Sequence, residues 1–107
     1  MNEMAEGIIK LLEDKKADNI EFYDLDGSNP FFDYVIICTA ANIRQLESLA
    51  DNIDDYLALQ NKPTRYIEGS KESGWILVDA NDIIIHIFTA DERERVNLDQ
   101  LLNARRN

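Results

Sequence analysis

The sequence predicts one domain of the α/β class, an α+β sandwich whose helices pack on a mixed five-stranded sheet in the order αββαβββα. Three observations predict this fold. Residues 33–40 form a continuous apolar run, residues 43–60 follow a helical pattern, and residues 64–88 contain three short β-rich segments. The chain has 107 residues, of which 45% are hydrophobic, as is usual for one folded domain. We therefore treat residues 1–107 as a single domain.

The N-terminal part predicts one helix and two strands. From Met4 to Lys16, apolar residues recur at helical spacing between charged ones, which predicts a first helix. Residues 19–25 alternate apolar and acidic side chains as a strand does, and turn-forming residues follow at 26–30. Residues 33–40 are apolar and largely β-branched, as in a strand buried on both faces, so we place them at the centre of the sheet.

The middle of the chain predicts a crossover. Asn42 can cap a helix over residues 43–60 that ends before Pro63. Its apolar positions step by three and four: Ile43, Leu46, Leu49, Ala50, Ile53, Tyr56 and Leu57. Because a strand precedes this helix and another follows it, we expect a right-handed crossover between parallel strands.

The C-terminal half predicts a β-meander and a last helix. The strands are expected at residues 64–68, 75–79 and 82–88, with a tight turn near Asn81, which tolerates positive φ. Thr89 can cap the final segment. That segment has apolar residues at helical spacing: Val96, Leu98, Leu101 and Leu102.

The charge balance favours one class of partner. The chain has 21 acidic and 11 basic residues, a net charge of −10. Because Lys and Arg supply most affinity for phosphates, we expect no direct sequence-specific nucleic-acid binding and favour a basic protein partner. The single cysteine cannot form an intramolecular disulfide, and no apolar run approaches about 18 residues. We therefore expect a cytoplasmic protein that engages no membrane.

Two residues with chemical potential have structural interpretations. His86 is the only histidine, and no second histidine or cysteine pair could complete a metal site, so we expect neither metal nor cofactor. We interpret His86 as a structural or interface residue, with a general base as the alternative. Cys38 lies in an apolar run and is expected in the core.

One motif raises an enzyme hypothesis. Nucleotidyltransferases pair a Gly-Ser turn, here Gly27-Ser28, with two carboxylates two residues apart on a later strand, where they hold two metal ions. Asp33 is in place, but the second position is Val35. The alternative function is a divergent nucleotide-binding enzyme or nucleotidyltransferase that uses Asp33, Asp79 or Asp82 and His86.

A broader pattern joins several of these segments. It comprises residues 33–39 (DYVIICT), 44–45 at the start of the second helix, 74–79 (GWILVD), 82–88 (DIIIHIF), and 92–94 ahead of 98–101. The pattern resembles the ribosomal silencing factor family, also called Iojap-related proteins, from about residue 4 to residue 102. Three positions depart from it: Asn81 replaces a usual Gly, Val96 a common aromatic residue and Leu102 a common Trp.

The resemblance implies a nucleotidyltransferase-like fold that lacks the catalytic carboxylates, and therefore no enzymatic reaction. It implies a bacterial or organellar protein that binds the large ribosomal subunit through ribosomal protein fourteen. Such binding blocks joining of the small subunit and lowers translation in starved cells. The resemblance also implies a homodimer when the protein is free of ribosomes.

We predict the partner surface from strand alternation. Trp75, Leu77 and Asp79 share one face of their strand, opposite Ile76 and Val78. If helices leave the Trp75 face uncovered, the indole can anchor an interface, and the alternative is a tryptophan in the core. The predicted binding residues are Trp75, Leu77, Asp79, Thr39, Asp82, His86 and Tyr34.

Overall fold

The computed structural model describes residues 2–106, in which five strands form one mixed sheet of spatial order β1-β2-β5-β4-β3. The elements are α1 (Glu3–Asp14), β1 (Asp18–Asp24), β2 (Tyr34–Ala40), α2 (Ile43–Leu59), β3 (Tyr66–Ser70), β4 (Trp75–Asp79), β5 (Ile83–Thr89), α3 (Ala90–Val96) and α4 (Leu98–Arg106). The predicted α+β class is confirmed. No helix within residues 2–106 is long and apolar enough to cross a bilayer.

The central pair of the sheet is parallel. β2 and β5 lie side by side in parallel, and antiparallel pairing adds β1 to β2, β4 to β5 and β3 to β4. β3 therefore runs in the same direction as β2, as the crossover predicted, but β5 and β4 lie between them. β2 is an interior strand, while the central position belongs to β5.

One face of the sheet carries the larger core, packed against α1 and α2. Asn2 and Asn42 cap these helices, with their side-chain oxygens accepting from the backbone N–H of Ala5 at 3.1 Å and of Gln45 at 2.8 Å. Alternate strand residues reach this core, among them Ile36, Cys38, Ile76, Val78, Ile83, Ile85 and Ile87. The buried position predicted for Cys38 is confirmed.

The opposite face is partly covered by α3 and α4, which we call the C-terminal cover. Here Leu98 and the buried Leu102 pack with a second cluster that includes Tyr23, Val35 and Phe88. The expectation of one final helix is wrong, because Asn97 adopts a left-handed conformation with φ of 54° and separates α3 from α4. Asparagine tolerates this conformation better than most residues do.

Of the two hairpins in the second half, β4–β5 has the predicted turn, whereas β3–β4 differs in the bounds of β3. At the β4–β5 turn, Asn81 has a φ of 70°, as predicted for a tight turn. β3 instead begins two residues later than expected and continues through Gly69 to Ser70, two residues beyond its expected end. Gly69 has a φ of 93°, and a Cβ there would lie 2.1 Å from the carbonyl oxygen of Trp75. Only glycine fits this close approach of two strands.

Candidate protein-binding face

The sheet arranges the predicted residues in rows across its strands. On the side that carries Trp75, which we call the Trp75 face, Trp75 pairs with Phe88 and Leu77 pairs with His86. Ile76 and Val78 are buried in the core on the other side. Strand alternation therefore places Trp75, Leu77 and Asp79 together as predicted.

Trp75 itself is half-buried at the edge of the cluster beneath the C-terminal cover. Its ring centroid lies 5.0 Å from that of Phe88 and 5.8 Å from that of His86. The indole Nε1–H donates a hydrogen bond to His86 Nδ1 at 3.1 Å. One edge of the ring is thus fixed from within while the ring keeps contact with solvent. We call half-buried Trp75, Leu77 and His86 the open patch.

The hydrogen bond defines the state of His86. Indole can only donate, so Nδ1 must accept, and the single proton of the neutral imidazole lies on Nε2. Burial lowers the pKa of His86 from 6.5 to about 4, which keeps the ring neutral near pH 7. His86 therefore offers an N–H donor of fixed identity beside Trp75.

The C-terminal cover is held by a polar network that the sequence reading missed. Arg93 donates to both carboxylate oxygens of Asp99 at 2.9 and 2.8 Å, to Thr39 Oγ1 at 2.8 Å and to the carbonyl of Asn19 at 2.7 Å. The hydroxyl of Tyr23 donates to the same carboxylate at 2.9 Å. Hydrogen bonds from Arg93 lower the pKa of Asp99, and Asp99 raises that of Arg93.

This network changes the interpretation of Thr39. Thr39 lies on the Trp75 face, in the row of Phe88, but it is buried and bonded to Arg93. The C-terminal cover thus occupies the part of the face that contains Thr39. The sequence offers one indication of this network, which is that Arg93 is the only cation in the Glu92-Arg93-Glu94 motif.

Three further predicted residues occupy different settings. Placing Tyr34 on the Trp75 face is wrong, because residues 34 and 39 differ by an odd number and face opposite ways. Tyr34 instead stacks on Phe22 with ring centroids 5.4 Å apart, beside the larger core. Asp82 is exposed in the β4–β5 turn, and Asp79 is buried with its carboxylate accepting from the N–H of Asn81 at 2.9 Å.

The chemical candidates are similarly dispersed. Asp33 is exposed before β2, where its N–H donates to the carbonyl of Asp82 at 2.8 Å. Burial raises the pKa of the Cys38 thiol to about 12, so this thiol stays protonated near pH 7. Across the part of the chain that the structure describes, no three His, Cys, Asp or Glu side chains cluster as metal ligands do.

Comparison with known proteins identifies the family of this chain. Residues 1–107 match the family described as "Ribosomal silencing factor during starvation". The chain belongs to this family. It is 34% identical over 89 residues to the ribosomal silencing factor RsfS of Bacillus subtilis, covering 83% of this chain and 75% of the relative. It is 32% identical over 98 residues to RsfS of Haemophilus influenzae, covering 92% and 96%.

The fold of a solved structure agrees with that of this chain. A crystal structure of a protein from Chromobacterium violaceum superposes with a TM-score of 0.89 at 27% identity, covering 96% of this chain and 88% of that one. Two of the noted departures from the family pattern lie in the C-terminal cover. Leu102 is a buried member of the second cluster and Val96 packs against it, so both side chains serve internal packing.

Proposed function

We propose that this protein is a ribosomal silencing factor that binds the large ribosomal subunit through ribosomal protein fourteen. Bound there, it sterically blocks joining of the small subunit and represses translation under nutrient limitation. The observation that carries the proposal is the open patch, in which half-buried Trp75 and Leu77 lie beside a neutral His86 donor. Family membership supports the ribosomal role.

The open patch has the properties of an interface anchor. Trp75 offers a large ring whose rotation is restricted by its contacts with His86 and Phe88, so binding sacrifices little conformational freedom. Apolar rings of this kind with polar neighbours are typical hot spots. The net charge of −10 complements a basic ribosomal protein and disfavours direct contact with ribosomal RNA.

This function needs no chemical step. Val35 stands where a nucleotidyltransferase needs its second carboxylate, and blocking a surface requires only occupancy. We place the protein in the cytoplasm, with a homodimer as its ribosome-free form. A rise in melting temperature with ATP and Mg²⁺ would instead favour the nucleotide-binding alternative.

The test is co-sedimentation of the purified protein with large ribosomal subunits, together with binding to isolated ribosomal protein fourteen. Trp75→Ala should weaken both by about 2 kcal/mol, a factor of about 30. Because Trp75 is only half-buried, the variant should remain folded in a thermal melt.

Leu59→Ala is the matched control. Leu59 also presents apolar surface, since it is 82% exposed, but it lies on α2, across the sheet from Trp75. This variant should bind like the wild type. Equal binding by Trp75→Ala and the wild type would contradict the proposed site, and absence of wild-type binding would contradict the proposed function.

A further inference from the structure

A groove of about 320 Å³ borders the open patch on the side of the edge strand β3. It is lined by Glu68, Gly69, Ser73, Trp75 and Leu77. Glu68 pairs directly across the strands with Leu77 and lies one diagonal step from Trp75. The groove therefore combines an apolar wall, formed by a tryptophan and a leucine, with one carboxylate.

The shape of the groove is constrained by contacts within the β3–β4 hairpin. Ser73 Oγ donates to the carbonyl oxygen of Ser70 at 2.8 Å and lies 3.0 Å from that of Trp75, which closes the β3–β4 hairpin. Gly69 has no side chain to fill the space, and its backbone approaches Trp75 too closely to accept one. The hairpin backbone thus shapes the groove, and the side chains of Glu68, Trp75 and Leu77 complete its lining.

The charge of the groove is uncompensated. Its lining contains the carboxylate of Glu68 and no lysine or arginine. Among the residues that the structure describes, the ion pairs are Arg93–Asp99 and Arg95–Glu92, and neither involves Glu68. An exposed carboxylate beside an indole face is suited to a cation that can also make apolar contact.

We propose that this groove receives an arginine side chain of the partner protein, with its guanidinium paired to Glu68 and its planar group against Trp75. This assignment rests on the proposed function, since it places the partner on the Trp75 face. Arginine fits better than lysine, because a planar guanidinium can bind a carboxylate through two parallel hydrogen bonds and stack on an aromatic ring. A compact, strongly hydrated ammonium does neither as well.

The first test compares two variants of the same hairpin. Glu68→Gln removes the carboxylate from the groove, and Glu72→Gln removes another exposed carboxylate from the adjoining turn. Both change the net charge by the same amount. In co-sedimentation with large ribosomal subunits, Glu68→Gln should weaken binding about tenfold and Glu72→Gln less than about twofold.

The second test identifies the arginine. Each arginine of isolated ribosomal protein fourteen is replaced by glutamine, and each variant is titrated against wild-type protein and Glu68→Gln. One replacement should weaken binding to the wild type but have little further effect on Glu68→Gln, the sign of a direct pair in a double-mutant cycle.

The outcomes separate the two claims. If the wild type binds and Glu68→Gln and Glu72→Gln weaken binding equally, the arginine assignment is wrong and the proposed function stands. The same holds if the effect of every arginine replacement is additive with that of Glu68→Gln. Absence of wild-type binding to both large subunits and isolated protein fourteen would overturn both. Thermal melts of the two variants should match the wild type, because both carboxylates are exposed.

Discussion

The hydrogen bond between Trp75 and His86 makes the main apolar side chain of the open patch depend on the protonation of its neighbour. Nδ1 can accept from the indole only while it is unprotonated. If His86 were protonated, Nδ1 would carry a hydrogen and would face the indole N–H, which is also a donor. The geometry of Trp75 is therefore favoured only by neutral histidine.

The first prediction concerns pH. Burial lowers the pKa of His86 from 6.5 to about 4, so between these values the unfolded chain binds a proton that the folded protein does not. The free energy of unfolding should therefore fall as the pH falls from 6.5 towards 4. Between pH 7 and pH 5 the loss due to His86 should be about 2 kcal/mol.

His86→Gln provides the control, because its amide oxygen can accept from the indole and does not titrate. Urea unfolding of both proteins at the two pH values isolates the contribution of His86 from that of the carboxylates. An equal loss of stability in the wild type and in His86→Gln would contradict the lowered pKa of His86.

The sequence predicted part of this site because some of its geometry is local. Period-two alternation alone places Trp75 and Leu77 on one face, and the same rule excludes Tyr34 from the face that holds Thr39. The half-burial of Trp75 and the burial of Thr39 depend on where the C-terminal cover lies. That position is set by contacts between residues far apart in the chain, such as Arg93 with Asn19, which no local pattern shows.

At the scale of elements, α3 and α4 are joined to the sheet by polar contacts as well as by the apolar packing of Val96, Leu98 and Leu102. α3 contains no buried residue, and only Leu102 is buried among the α4 residues whose side chains are described. Arg93 instead links α3 to Asp99 of α4, to Thr39 of β2 and to Asn19 of β1. One guanidinium thus connects both cover helices with two strands.

The second prediction compares two arginines of α3. The side chains of Arg93 and Asp99 are only 14% and 23% exposed, so Arg93→Met should lower the free energy of unfolding by about 2–3 kcal/mol. Arg95 forms an ion pair with Glu92 but is 69% exposed, and Arg95→Met should leave the urea midpoint almost unchanged. Comparable losses in both variants would show that the network does not hold the cover.

The sequence predicts the boundaries of an element correctly where neighbouring residues determine them. It does not do so where contacts with a distant part of the chain determine them. The predicted bounds of β4 are confirmed, and α2 begins at Ile43 behind its Asn42 cap as expected. The break at Asn97 was missed because helical spacing continues across it. β3 was misplaced because its pairing is set by the close approach of Gly69 to Trp75, which depends on the partner strand.

At the scale of the whole molecule, the net charge of −10 acts over distances longer than any contact. An acidic protein approaching a ribosome is repelled by RNA and attracted by basic protein surface. The charge thus favours encounter where ribosomal protein is exposed. We expect this field to influence the rate of association more than the lifetime of the complex.

The third prediction follows from this field. Association with isolated ribosomal protein fourteen should slow about tenfold between about 50 mM and about 500 mM NaCl, because salt screens charges beyond a few ångströms. Trp75 is the only tryptophan, so stopped-flow fluorescence can measure the rate directly. Equal association rates at both salt concentrations would contradict electrostatic attraction between the partners.

The position of β5 between β2 and β4 also determines when the chain can fold during its own synthesis. A nascent chain that has reached β4 contains two separate hairpins, β1–β2 and β3–β4, and lacks the strand that joins them. Neither hairpin can complete the sheet that α1 and α2 cover until β5, which follows both hairpins in the chain, leaves the exit tunnel. Such long-range pairing is also slow to form, because the strands must close long loops. The sheet that carries the Trp75 face therefore cannot be completed on the ribosome that makes this chain until β5 has emerged.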